Sequence, residues 1–161
     1  MITQTHLSRQ VWTVLLAGGL ATVAFDLFGQ GLSPAFGFAK LAPVGLATAT
    51  LKTIFGDIPK GAGDIMHILT GMFVYTLGYL LVARPIQRKV IPNLHWAITA
   101  TAYGIGLWVF ALYFVAHLIA GNPPFLGFTG ITWVAFWGHI VYALVAVYVI
   151  ERGPFSQQHE A

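Results

Sequence analysis

The chain has no cysteine. Disulfides, thiolate metal sites and thiol nucleophiles are therefore excluded. Charge is almost as scarce. The 161 residues hold 8 Lys and Arg and 5 Asp and Glu, so 8% of the chain is charged, where a soluble domain carries about 25%. So few charges do not cover a water-facing surface, and no basic cluster suits a duplex. Nucleic acid is excluded as a partner, and the net charge of +3 is left to anchoring and orientation. No period-two alternation is present, which argues against a barrel. A Walker loop, a nucleophile elbow, a zincin motif and a dinucleotide fingerprint are all missing. No catalytic residue is assigned, and a non-enzymatic role is expected. The first apolar run, from near Val11, continues for about twenty residues, too long for a cleavable leader.

What remains is hydrophobic: 57% of the chain. Four runs reach the length of about 20 residues that a membrane helix needs: about 11–30, 65–83, 94–120 and 131–150. With no water in a bilayer core each backbone must satisfy itself, so the runs are read as helices. The expected fold is an all-α polytopic membrane protein with four transmembrane helices, a single domain over 1–161. Arg9, Arg84, Arg88, Lys89 and Arg152 place both termini and the middle loop on the cytoplasmic side, against Lys40, Lys52 and Lys60 on the other. The lipid bilayer and its bound lipids are the first expected partners, and a bacterial inner membrane the expected location.

A short motif occurs twice. "GLSPAFGF" from Gly31 and "GNPPFLGF" from Gly121 share Gly31/Gly121, Pro34/Pro124, Gly37/Gly127 and Phe38/Phe128. Each follows an odd-numbered helix, and each is followed by a helix carrying a histidine, His67 or His139. The chain thus reads as two repeated helical hairpins, 11–83 and 94–150, the first with an inserted amphipathic or re-entrant segment at 39–63. A parallel repeat of this kind has its two-fold axis along the membrane normal. The alternative is that Pro and Gly punctuate any two loops alike. Small residues at four-residue spacing, Ala17/Ala21 and Gly18/Thr22 in helix one and Ala97/Thr101 and Ala100/Gly104 in helix three, suggest that these two helices pack together at that axis.

Ionisable residues inside apolar helices are functional candidates. Asp26, Asp64, His67, His117 and His139 all fall in the half away from the termini. Three readings stay open. His67 and His139, with His117, bracket a haem b or ligate a chlorophyll-type pigment, with Gly63/Gly71 and Ala135/Ala143 leaving room for a flat ring. Asp26 and Asp64 form a polar cluster with the histidines, for protons or a divalent ion, although no HxxxH, HxxE or DxxD spacing exists. Or each histidine is a structural residue bonded to a carbonyl or a tyrosine. His139, about 12 Å into its helix at 1.5 Å per residue, is expected to need an N–H partner from another helix, a cofactor or a lipid headgroup. His95 is expected to lie at the interface.

"AGGLATVAFDLF" and "HILTGMFVYTLGYL", with His67, Gly71 and Tyr75 in a His-xxx-Gly-xxx-Tyr pattern, resemble the YagU-like small four-helix bacterial inner-membrane proteins. The resemblance covers roughly the first half and implies a four-helix membrane protein without an activity. The expected function is an accessory subunit among other membrane subunits of a respiratory or photosynthetic complex. The alternatives are a b-type haem or pigment-binding protein and a small transporter-like protein using the Asp/His cluster.

Overall fold

The structure is a computed structural model that describes residues 4–155; the extreme ends of the domain read over 1–161 lie outside the described residues. Every regular element among these residues is helical. Four helices are long and apolar enough to cross a membrane: α1 (Leu7–Ala35), α3 (Ala62–Val90), α4 (Trp96–Ile119) and α5 (Gly130–Arg152). A shorter helix, α2 (Pro43–Phe55), fills the segment expected to be an insertion.

The first two long helices run past their expected ends because they carry prolines without stopping. A proline inside a helix removes one backbone bond and crowds the preceding turn. The prolines inside these two helices, Pro34 and Pro85, each come one residue after a stretch of wide π-helical turns, Leu27–Leu32 and Tyr79–Ala83. The wider turn takes up the local mismatch and lets the helix continue. Further wide turns span Thr70–Tyr75 in α3 and Phe110–Ile119 in α4.

Helix α5 is the centre of the bundle and packs along α1 on one side and α4 on the other. The small faces of α1 and α4 meet other helices, not one another as the repeat suggested. A Cβ on Gly104 would lie 2.8 Å from the His139 carbonyl and the Ile140 Cα of α5. Gly18 presses on the Met72 backbone of α3, and Thr22 fills the space at Gly71. Ala17 and Ala21 are fully buried, in clusters with Val147 and Ile150 and with Tyr142 and Ala146 of α5. These contacts let backbones approach where no large side chain intervenes.

One end of the bundle gathers the start of α1, the end of α3 and the end of α5: Gly153 packs on Thr13, and Arg84 bonds to Glu151. The other end holds α2 and the turn Pro124–Phe128. The repeated motif has two different backbones. In the first copy Gly31 and Pro34 are helical and Gly37 (φ 81°) follows the helix end. In the second, Gly121 (φ 75°) ends the helix and Pro124 opens a turn in which Phe125, Leu126, Gly127 and Phe128 are all left-handed. The shared letters therefore mark different corners. Left-handed conformations are costly for residues with a Cβ. Here Trp108 against Phe125 (4.7 Å between centroids) and the Thr132 hydroxyl donating to the Phe125 carbonyl (2.6 Å) hold the turn.

Candidate functional site

A half-open cavity of about 390 Å³ lies in the half away from the termini. Helices α1, α3, α4 and α5 form its walls, and α2 lies across it, packed on the first turns of α3 and the last turns of α4. Thr48 and Val44 of α2 meet Gly63 of α3, so this approach depends on a residue without a side chain. The wall is mostly apolar: Leu46, Val74, Leu112, Val115 and Ile131 are typical. Among its few polar side chains are His67, Thr70, Tyr75, His139 and Tyr142.

His67 and Asp26 meet across α3 and α1. The His67 Nε2 donates to the Asp26 carboxylate, 3.0 Å from each oxygen, and Gln30 Nε2 donates to the same group at 2.7 Å. The carboxylate therefore fixes the ring and its tautomer. His139 is buried, at 4% exposure. Its Nδ1 donates to the Ala135 carbonyl of its own helix at 2.7 Å. No other helix, cofactor or lipid headgroup is needed for that N–H, contrary to the expectation. Its Nε2 is left as a lone-pair acceptor. Phe25 touches both imidazoles, with ring centroids 6.3 Å from His67 and 5.1 Å from His139.

The two tyrosines differ. Tyr142 donates its hydroxyl to the Gly71 carbonyl and shares a bond with Thr76 Oγ1 at 2.9 Å. It closes the wide turn of α3, whose carbonyls are turned away from ordinary helical partners. Tyr103 does the same for the Tyr75 carbonyl. The Tyr75 ring stands 6.2 Å from His139 and lines the cavity, and among the described residues its hydroxyl takes no hydrogen bond. One free donor and one free acceptor, Tyr75 O–H and His139 Nε2, thus belong to the same apolar cavity.

The remaining candidates lie elsewhere. His117 caps the end of α4, its Nδ1 donating to the Asn122 carbonyl at 2.7 Å, and does not line the cavity. Asp64 is exposed in the first turn of α3, where a negative charge suits the helix end. His95 caps α4 by accepting from the Ala97 N–H at 3.3 Å. Gly63 and Gly71 are filled by Thr48 and Thr22, so they make room for helices and not for a flat ring. A bis-histidine haem needs a ring nitrogen from each side; His67 commits Nε2 to Asp26, which leaves its Nδ1 as the lone-pair atom. Among the described residues no three of His, Asp and Glu come together to hold a metal ion. The chain matches no family model, no curated protein and no solved structure.

Sequence reasoning missed Tyr75 as a site residue and Glu151 altogether. Glu151 binds Arg84 Nε (2.8 Å) and the Tyr79 hydroxyl (2.9 Å) at the end of the bundle near the termini. A lone acid beside a buried helix end was the available signal.

Proposed function

We propose that the chain is a small integral membrane protein of the bacterial inner membrane, with both ends cytoplasmic, that binds a neutral lipophilic molecule bearing a hydroxyl or carbonyl group. The observation that carries this reading is the pairing of Tyr75 O–H with His139 Nε2 in one cavity. A volume of about 390 Å³ falls within the range of about 300–1,000 Å³ typical of small-molecule sites, which are mostly apolar with a few placed polar groups. The ligand's polar group would accept from Tyr75 or donate to His139, and its body would lie against the aliphatic wall. Asp26 would hold the His67 imidazole in place and keep the rim polar. This develops the transporter-like reading more than the others: the site is suited to receive and release a lipophile.

The apolar exterior, Trp12, Leu16, Leu81 and Trp137 among others, would be covered equally well by lipid or by a partner subunit. It does not favour the accessory-subunit reading. A tetrapyrrole would take His139 Nε2 as a protein ligand, and an absorption spectrum of the purified protein separates that case. The test of the main reading is extraction of protein purified from its own membranes, with mass spectrometry of the neutral lipids. A discrete lipophile should co-purify near one per chain, and His139→Leu combined with Tyr75→Phe should lower its retention by at least about tenfold, one lost hydrogen bond each. Equal recovery from parent and double variant would sink the reading.

A further inference from the structure

A second cavity, of about 400 Å³, lies at the opposite end of the bundle, between the end of α3, the loop before α4 and the end of α5. Its lining is polar. Arg88, Glu151, Asn93, Trp96 and Thr99 all contribute. We infer that this cavity is an anion site that takes a phosphate group of net negative charge, supplied by an anionic phospholipid of the adjoining leaflet or by free phosphate.

Three observations converge on it. First, charge is unbalanced. Arg84 and Arg88 share one carboxylate, Glu151, at 2.8 and 3.8 Å. Arg84 is the tightly held one; it also donates to the Phe155 carbonyl at 2.6 Å. Arg88 is the loosely held one, and it lines the cavity. Among the described residues the other acids, Asp26, Asp57 and Asp64, sit toward the opposite end, so Glu151 is left to two guanidinium groups and Arg88 holds the weaker share of it. Second, Thr99 is buried, at 6% exposure, and its Oγ1 is the one side-chain oxygen or nitrogen among the described residues that is itself shut off from solvent and has no hydrogen-bond partner. It lines this same cavity. A hydroxyl left unpaired in such a place is costly unless a ligand or water satisfies it. Third, α4 begins here at Trp96, and the N-terminus of a long helix presents partial positive charge to an anion.

A phosphate oxygen on Arg88 would restore the missing charge balance, and Thr99 would donate to it. Arginine suits this role because its planar fork matches phosphate geometry. Glu151 does not oppose the anion strongly, since Arg84 and the Tyr79 hydroxyl already hold it.

The experiment uses the full chain in detergent, titrated with short-chain phosphatidylglycerol, with short-chain phosphatidylcholine and with inorganic phosphate, read by native mass spectrometry and by thermal unfolding. Phosphatidylglycerol is expected to bind more tightly than phosphatidylcholine if a lipid is the source. Inorganic phosphate alone should stabilise the chain to the same extent if the free ion is. In either case Arg88→Gln should weaken binding by at least about tenfold and Thr99→Val by several-fold, while Lys89→Gln, an exposed neighbour, should leave it unchanged. The inference is overturned if Arg88→Gln and Thr99→Val bind as the parent does. It is also overturned if Lys89→Gln loses as much as Arg88→Gln, or if the two lipids bind equally and phosphate has no effect. Thr99→Val preserves side-chain volume, so its result stands even where Arg88→Gln folds poorly.

Discussion

Arg84 is a buried guanidinium in an otherwise apolar bundle, and Glu151 is the carboxylate that neutralises it. Removing one partner of such a pair leaves an uncompensated charge and costs about 3 kcal/mol or more. Glu151→Gln is therefore expected to lower unfolding stability in mild detergent by about that amount, and Arg84→Leu combined with Glu151→Leu to recover most of it. A single variant as stable as the parent would show that solvent already reaches the guanidinium. This pair could not be read from the sequence, because the two residues are 67 positions apart and nothing local marks them. Asp26 and His67 were legible as candidates, since ions in apolar helices are conspicuous, but not as partners. The N–H of His139 was misjudged for a physical reason: a helix can offer its own carbonyl at i−4, so depth alone does not demand an outside partner.

The helices were legible from hydrophobicity and their lengths were not. The first two runs read as ending near positions 30 and 83, yet a wide turn before Pro34 and before Pro85 lets each helix go on. The small-residue faces were legible as packing faces but their partners were not, because four-residue spacing says that a helix will be approached closely without saying by which neighbour. Gly104 gives the sharpest test. Gly104→Ala would push a Cβ into the α5 backbone and is expected to cost about 1–3 kcal/mol. Gly106→Ala, two residues on with nothing within 4 Å of the new atom, is expected to be neutral or to stabilise by about 0.5–1 kcal/mol. Equal thermal shifts for the two would contradict the packing of α4 on α5. The repeat fares differently: its glycines and prolines are where the sequence says, but left-handed backbone falls at Gly37 in one copy and over Phe125–Phe128 in the other, which composition cannot specify.

At the level of the whole molecule, the bundle divides into two ends with different chemistry. The end near the termini carries Arg84, Arg88, Glu151 and the polar cavity; the other carries α2 over the apolar cavity. Reporter fusions at Gln87 and after Arg152 are expected to read cytoplasmic, and one at Asp57 to read on the other side. A Gln87 fusion that reads opposite to one after Arg152 would break the arrangement. The central claim concerns the cavity under α2. An experimentally determined structure of the chain in its native lipids tests it most directly. The account predicts a compact feature within hydrogen-bond distance of His139 Nε2 or the Tyr75 hydroxyl, about 2.7–3.2 Å, with an apolar body along Val74 and Val115. A cavity closed by the collapse of α2 onto α3, or filled only by acyl chains with nothing near either polar atom, would contradict it.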